Sequence, residues 1–167
     1  MPTKAMILWM ILLLFFFGCT SRESGQLTQQ QTNQVKNEIR ATVDSWIGKF
    51  QNFDVEGIFQ YYSPDFVGFG PWADQFDVQK YRKEIIDLFS LITAYKWTTY
   101  RQDFLAVTKD EVICTMDGKD ELFMKSGDKI AFDPAHYTFG LKKVAGQWKF
   151  FYHHASGVEV TQKAAKK

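Results

Sequence analysis

One aromatic run near the carboxyl end, Trp148-Lys149-Phe150-Phe151-Tyr152-His153-His154-Ala155-Ser156-Gly157, carries the most information about how this chain folds. A turn signal precedes it at residues 145–147, and aromatic residues without proline favour a β-strand. Because side chains alternate along a strand, one face is predicted to carry Trp148, Phe150, Tyr152, His154 and Ser156. The opposite face then carries Lys149, Phe151, His153, Ala155 and Gly157. The first face begins apolar and ends in hydrogen-bonding groups, which is typical of a strand that runs from a packed core into a cavity floor.

Three helices are predicted upstream of this strand. The first spans residues 35–50, where apolar side chains three and four positions apart form one stripe at Val35, Ile39, Val43, Trp46, Ile47 and Phe50. Asp54 is the predicted N-cap of a short second helix over residues 55–62, which ends before Ser63-Pro64. A short strand follows over residues 66–71, and Asp77 then caps a third amphipathic helix.

Four longer strands are predicted over residues 95–107, 111–124, 129–143 and 148–158. The turn signals that separate them are compatible with hairpins, so the strands should form an antiparallel meander. Asp117-Gly118 and Asp133-Pro134 interrupt two of these strands. Such interruptions predict bulges or bends, which would curve the sheet.

Two segments resemble a known superfamily. Trp148, Tyr152, His154, Ser156 and Gly157 resemble the last strand of nuclear transport factor 2-like (NTF2-like) proteins, in the SnoaL-like and kinase-association-domain branches. Residues 53–66 resemble the helix-turn-helix that leads into the first strand of the same superfamily. The resemblance implies an α+β fold over residues 35–158, a cone-shaped barrel in which three N-terminal helices pack on a curved antiparallel sheet.

The amino end predicts a location. Lys4 precedes an apolar run at residues 6–17, which is shorter than the roughly 20 residues of a membrane-spanning helix but suits the core of a signal peptide. Gly18-Cys19 resembles a bacterial lipoprotein cleavage site, although Phe16 and Phe17 depart from the usual residues before it. We expect residues 1–18 to be removed and Cys19 to be lipidated. The protein would then be anchored to a bacterial membrane in the cell envelope, with a secreted form as the alternative.

The remaining terminal segments and the composition set further limits. Residues 19–34 are polar and predicted to be a flexible tether, and residues 159–167 a basic disordered tail. With 20 Lys and Arg against 19 Asp and Glu, the chain has no charge bias that would favour a nucleic-acid partner. Cys114 remains alone in an apolar strand and is interpreted as a small buried hydrophobe. No phosphate-binding loop or paired Cys/His spacing appears, so no cofactor or metal is predicted.

His154 is the first candidate for chemistry in the predicted cavity. It could orient a ligand or act as a general base, and the alternative is a structural histidine that ties strand to helix by a hydrogen bond. His153 is predicted to face away, towards the surface or a dimer contact. The other ligand-binding candidates around the cone are Tyr62, Trp72, Arg101, His136, Tyr152 and Ser156.

Two departures from the superfamily's enzymes bear on function. In ketosteroid-isomerase-like members, the resemblance implies a tyrosine donor where this chain has Trp46, and an aspartate base where it has Gly70. Without that carboxylate and phenol, the isomerase mechanism lacks its base and part of its anion site.

Three functions therefore stay open. The leading hypothesis is an envelope-anchored domain that binds a small, largely apolar ligand in an aromatic cavity, and that forms a homodimer. The second is a lyase or isomerase with His154 as general base. The third is a non-catalytic dimerisation module whose cone is filled by its own Phe side chains. One fold can host all three.

Overall fold

The computed structural model describes residues 26–70 and 74–164. Three helices are present in this part of the chain: α1 (Gln29–Gln51), α2 (Val55–Phe59) and α3 (Val78–Leu91). Helices α2 and α3 begin at the predicted N-caps, since the Asp54 side chain accepts a hydrogen bond from the Gly57 amide and the Asp77 side chain accepts one from the Lys80 amide. Both capping predictions are confirmed.

Within the described residues, six strands form one sheet: β1 (Tyr62–Phe69), β2 (Gln75–Phe76), β3 (Ile92–Val107), β4 (Glu111–Met124), β5 (Lys129–Val144) and β6 (Gln147–Gln162). The strand order is β2-β1-β6-β5-β4-β3. Strands β3 to β6 form the predicted antiparallel meander, whereas β1 lies parallel to β6. The result is the predicted α+β architecture, with a curved sheet that does not close into a complete barrel.

The helices cover one face of this sheet. All six apolar residues of the predicted α1 stripe are buried. Within that stripe the Trp46 ring lies 5.6 Å from the Phe139 ring of β5 and 5.2 Å from the Phe150 ring of β6. Aromatic contacts of this kind join α1 directly to the middle of the sheet, because large rings reach across the space between the layers.

The ordered domain extends beyond both predicted boundaries. Helix α1 begins at Gln29 rather than at residue 35, because Thr28 and Gln31 form a capping box. At the other end, β6 continues past residue 158 because Glu159 and Gln162 still pair with β5. Residues 29–34 and 159–162 therefore belong to the folded domain, not to the predicted tether and tail.

The predicted interruptions of β4 and β5 are irregularities in the sheet. The pairing register shifts between Gly118 and Asp120 in β4, and between Phe132 and Ala135 in β5. Extra residues at such positions bend a strand, so they account for part of the curvature.

Some predictions fall outside the described residues. These are the signal peptide at residues 1–18, the lipidation of Cys19 and the role of Trp72. Among the described residues, none of the helices has the length and apolar character needed to cross a membrane.

Candidate functional site

A cavity of about 430 Å³ lies between the helices and the sheet. It is mostly apolar, and Trp46, Phe50, Phe76 and Phe132 supply much of its wall. The polar groups that share this wall come from five elements, and they are Tyr81 and Glu84 of α3, Tyr95 of β3, Asp120 of β4, Tyr137 of β5, and His153 and Ser156 of β6. Asp74 precedes β2 and also contributes to the lining.

The predicted inward face of β6 is wrong for Tyr152 and His154, which do not line the cavity. The strand has one extra residue, Phe151, between two consecutive pairs with β5, Leu141–Phe150 and Gly140–Tyr152. One extra residue reverses the side to which the side chains directly after it point. His153 therefore lines the cavity, whereas His154 is half-buried and does not contribute to the lining.

Gly140 explains where this bulge can form. A Cβ atom at Gly140 would lie 2.7 Å from Cζ of Phe151 and 3.0 Å from Cβ of Tyr152. Both distances are shorter than ordinary carbon contacts, so a side chain at this position would collide with the bulged segment. Glycine is the residue that leaves room for it.

His153 is enclosed by aromatic rings. Its side chain is 3% exposed, and its ring centroid lies 5.4 Å from that of Tyr137 and 5.9 Å from that of Tyr81. Neither ring nitrogen has a hydrogen-bond partner among the described residues. Burial lowers the pKa of His153 to about 3, because the charged imidazolium would lose its hydration. The imidazole is neutral at physiological pH and keeps a donor and an acceptor available.

Asp120 is the buried carboxyl of the cavity. It is 8% exposed, and its Oδ2 accepts a hydrogen bond of 2.8 Å from the Tyr137 hydroxyl. Its Oδ1 accepts no hydrogen bond from the described residues. Burial raises the pKa of Asp120 to about 6, and interactions with the Tyr137 and Tyr95 hydroxyls limit the rise. The group therefore changes charge close to neutral pH.

The cavity tyrosines stay protonated. Burial raises the pKa of Tyr81, Tyr95 and Tyr137 far above the range in which a phenol would ionise in the cell. The phenols therefore act as hydrogen-bond donors and acceptors rather than as bases.

The structure brings few of the predicted ligand-binding residues to the cavity. Ser156 contributes to the wall. Tyr62 is buried in the core, 4.6 Å from the Phe66 ring and 5.4 Å from the Phe150 ring, and is not among the lining residues. Tyr152 and His154 follow the bulge, and their side chains lie on the face of the sheet opposite to that of His153.

Arg101 and His136 lie on the other face of the sheet, because each is opposite Asp117 in the ladder and alternates with cavity residues. Arg101 Nη2 lies 2.9 Å from Asp117 Oδ2, and His136 Nδ1 lies 2.8 Å from Asp117 Oδ1. Arg101 Nε also pairs with Asp103 Oδ2 at 2.8 Å, and both of these side chains are largely exposed. This is the solvated charge network that such spacing commonly forms on a sheet surface.

The two residues that stand where the superfamily's enzymes carry catalytic groups do line the cavity. Trp46 and Gly70 are both part of its wall, and Trp46 Nε1 has no hydrogen-bond partner among the described residues. Neither can transfer a proton as a base. The buried carboxyl of this cavity comes instead from Asp120, on a different strand.

Metal binding finds no support in the described part of the chain. No group of three or more His, Cys, Asp or Glu side chains there is arranged to hold a metal ion. Cys114 is fully buried and burial raises its pKa to about 12, so the thiol has little thiolate character at neutral pH.

The sequence interpretation missed Asp120 and His153. A signal for Asp120 exists in β4, where Val112, Cys114 and Met116 alternate on the buried face and Asp120 falls in the same phase. A carboxylate in phase with a buried stripe predicts a polar group in the interior. His153 had no such signal, because its orientation depends on the bulge.

Helices laid over a curved six-stranded sheet, with a cavity between them, define an NTF2-like protein. The chain belongs to the family of SnoaL-like domains, whose profile it matches over residues 39–161. No curated protein matches the chain significantly.

Solved structures with the same fold differ in their proposed activities. A proposed aromatic-ring hydroxylase from Novosphingobium aromaticivorans is 10% identical, with a TM-score of 0.72 and coverage of 83% of this chain and 96% of its own. A proposed scytalone dehydratase from the same organism is 13% identical, with a TM-score of 0.72 and coverage of 83% and 94%. A proposed dehydratase of the NTF2-like family from Streptomyces avermitilis is 12% identical, with a TM-score of 0.67 and coverage of 75% and 98%. At such identities the similarity establishes the fold alone.

Proposed function

We propose that this protein binds a small, largely apolar molecule in the cavity between its helices and sheet. The observation that carries this proposal is the cavity itself, about 430 Å³ with a mainly aromatic and aliphatic wall. Small-molecule sites in proteins commonly have volumes of roughly 300–1,000 Å³ and a few polar groups that orient the ligand. A cone filled by its own Phe side chains, as the third hypothesis supposes, would leave no space of this size.

The polar anchors in this proposal are Asp120 and His153. Asp120 Oδ1 and both His153 nitrogens lack partners among the described residues. A buried polar atom without a partner costs about 1–3 kcal/mol. A ligand with a hydroxyl or amino group would offset this cost, so these atoms favour an amphiphilic molecule over a pure hydrocarbon.

A cavity-filling variant tests the binding proposal. Ala155 lines the cavity, and Ala155→Phe should fill part of it and weaken binding of a neutral polarity-sensitive fluorescent dye at least about tenfold. Ala106→Phe adds the same ring at an exposed position of β3 and should leave dye binding unchanged. Equal dye binding by wild type and Ala155→Phe would contradict the proposal, provided that both variants retain their folded circular dichroism spectrum.

We further propose that the domain is anchored in the cell envelope. Support comes from the sequence, in which the apolar run of residues 6–17 is followed by Gly18-Cys19. Cys19→Ala should abolish incorporation of a labelled fatty acid into the protein, because the thiol that would carry the lipid is lost. Cys114→Ala, which changes the buried cysteine, should leave the labelling unchanged. Equal labelling of wild type and Cys19→Ala, or no labelling of wild type, would contradict lipid anchoring at Cys19.

Acid–base catalysis is a second candidate function. One observation favours it: Asp120, with a pKa raised to about 6 and Oδ1 unpartnered among the described residues, shares a cavity with the neutral imidazole of His153. A carboxylate near this pKa can remove and return a proton at neutral pH. The dehydratases and the hexachlorocyclohexane dehydrochlorinase among the structural neighbours have names that imply elimination, a reaction that needs such a base.

Binding and catalysis can be separated with one isosteric variant. If Asp120 is a base, Asp120→Asn should abolish turnover of any substrate found by screening and leave its affinity within about threefold. If Asp120 is a binding group, affinity itself should fall. His154→Gln should change neither, because His154 lies outside the cavity lining.

A further inference from the structure

We propose that the ligand carries a positively charged nitrogen, which contacts Asp120 and the surrounding aromatic rings. This inference rests on the proposed binding function and names the chemical class of the ligand. It follows from the contrast between two neighbouring carboxylates, from the charges of the cavity wall and from its aromatic surface.

Asp120 and Glu121 are adjacent in β4 and lie on opposite faces of the sheet. Glu121 is surrounded by three lysines, with Nζ atoms of Lys129, Lys119 and Lys96 at 2.5, 3.6 and 3.9 Å. Asp120 forms no ion pair with any Lys or Arg of the described residues. Two neighbouring carboxylates of similarly low exposure thus differ completely in their counterions.

The rest of the wall supplies no positive charge to Asp120. Among the described residues that line the cavity, the charged ones are Asp74, Glu84 and Asp120, and all three are acidic. Among the described lining residues, the basic type of side chain is represented by His153, and its low pKa keeps it neutral. A buried carboxylate that is mostly ionised at about pH 7.5 and has no cation is costly, because its charge is only partly compensated by two phenols. A ligand cation would supply the missing charge.

The aromatic wall suits the same group. Rings of Tyr81, Tyr95, Tyr137, Trp46 and Phe50 line the cavity. The faces of aromatic rings attract cations, most strongly when water is excluded, and aromatic cages of this type recognise quaternary ammonium groups. An anionic ligand, in contrast, would meet the uncompensated carboxylate of Asp120 and no basic side chain other than neutral His153 among the described lining residues. The other two lining carboxylates, Asp74 and Glu84, share Lys80 as a counterion at 3.9 and 3.8 Å. The cavity should therefore select cationic over anionic amphiphiles.

A protonated Asp120 would favour a different ligand. The neutral acid could donate a hydrogen bond to a carbonyl or ether oxygen. This arrangement predicts equal or tighter binding of neutral ligands, so it is an outcome of the experiment below.

The test compares three ligands of matched shape on the full-length protein. The probes are naphthylmethyl-trimethylammonium, the neutral compound in which tert-butyl replaces trimethylammonium, and naphthylacetate as the anion. Titrations are performed at about pH 7.5, above the pKa of Asp120. The full-length protein is kept in detergent because of its proposed lipid anchor, and the signal from titrating each probe into detergent buffer alone is subtracted. The quaternary ammonium has no titratable proton, so any pH effect on its binding comes from the protein.

We expect the ammonium compound to bind wild type at least about tenfold more tightly than its neutral isostere, and naphthylacetate to bind most weakly. Asp120→Asn should weaken ammonium binding about 10- to 100-fold and leave the neutral isostere unchanged or slightly tighter. Glu121→Gln removes a charge one residue away, on the other face, and should change ammonium affinity by less than about twofold.

The two proposals fail in different ways. Neutral or anionic binding as tight as that of the ammonium would overturn the cation inference and leave the binding function standing. The cation inference is also wrong if the fluorescent dye binds while the ammonium does not, or if Asp120→Asn binds the ammonium as well as wild type. If neither the dye nor any of the three probes binds, both proposals are wrong.

Discussion

The Tyr137 hydroxyl donates a hydrogen bond of 2.8 Å to Oδ2 of Asp120, within the wall of the cavity. This bond stabilises the ionised carboxylate more than the neutral acid, so it lowers the pKa of Asp120 against the larger effect of burial. The two side chains come from neighbouring strands, and the bond fixes one carboxylate oxygen, whereas Oδ1 accepts no hydrogen bond from the described residues.

Removing this hydroxyl should raise the pKa of Asp120. In Tyr137→Phe the carboxylate loses the hydroxyl that donates to Oδ2, so its apparent pKa should move from about 6 to a higher value. Carbon-13 NMR of labelled aspartate side chains across a pH titration measures the shift. Tyr152→Phe removes a phenol from the outer face and should leave the titration of Asp120 unchanged. An unaltered Asp120 titration in Tyr137→Phe would contradict the assigned role of the bond.

Asp120→Asn should stabilise the protein at high pH. The pKa of Asp120 is raised from 3.8 to about 6 on folding, so its contribution to stability is fully present below about pH 4 and is lost as pH rises through 6. Above about pH 7 the buried carboxylate costs up to about 3 kcal/mol, since each pKa unit corresponds to about 1.4 kcal/mol. Denaturant unfolding at about pH 5 and pH 8 should show that the free energy of unfolding of the variant increases relative to that of wild type as pH rises.

Asp117→Asn is the matched control for this experiment. A hydrogen bond with His136, followed by the effect of Arg101, lowers the pKa of Asp117. Its contribution is therefore present above its unfolded pKa and lost on acidification, so Asp117→Asn should destabilise the protein at about pH 8. Variants of both residues that change stability in the same direction would refute the assignment of these two environments.

His153 should make the fold sensitive to acid. Its pKa is lowered from 6.5 to about 3, so the stability it contributes is present above pH 6.5 and is lost as pH falls towards 3. Between about pH 6 and 4 the protonation of Asp120 has the opposite effect, so the two slopes nearly cancel in wild type. In an Asp120→Asn background the free energy of unfolding should therefore decrease by about 1.4 kcal/mol for each unit by which the pH is lowered.

The double variant Asp120→Asn, His153→Phe provides the comparison. Without the imidazole, most of this slope between about pH 6 and 4 should disappear. The measurement is the midpoint of urea unfolding at half-unit steps of pH. A slope that persists in the double variant would mean that another group accounts for it.

Much of the fold could be predicted because it follows from local patterns. The α1 stripe and the caps Asp54 and Asp77 rest on spacing within one or two helical turns. The antiparallel meander rests on turn signals between strands. Neither kind of pattern depends on contacts distant in sequence, so both predict the folded structure correctly. The parallel pairing of β1 with β6 does depend on such contacts and was not predicted.

The site was largely missed for the same physical reason. Which of His153 and His154 faces the cavity depends on where β6 bulges against Gly140, a relationship between two strands. Asp120 was missed because a charged residue in a strand is normally assigned to the solvent face. The polar residues chosen from the sequence lie mainly on the outer face, where charge networks such as Arg101–Asp117 belong.

The bulge of β6 should depend on the absence of a side chain at Gly140. In Gly140→Ala the new Cβ would lie 2.7 Å from Cζ of Phe151 and 3.0 Å from Cβ of Tyr152, so either the bulge shifts or the protein is strained. We expect a loss of about 1–3 kcal/mol in the free energy of unfolding, typical of overpacking. Dye binding should also weaken, because the bulge sets the position of His153 in the wall.

Gly48→Ala is the control for this substitution. Nothing lies within 4 Å of a Cβ at Gly48, which is inside helix α1. Alanine has a higher helix propensity than glycine by up to about 1 kcal/mol, so this variant should be more stable than wild type and bind dye normally. If Gly140→Ala behaved like Gly48→Ala, the bulge would not need glycine opposite it, and the orientation of His153 would require another cause.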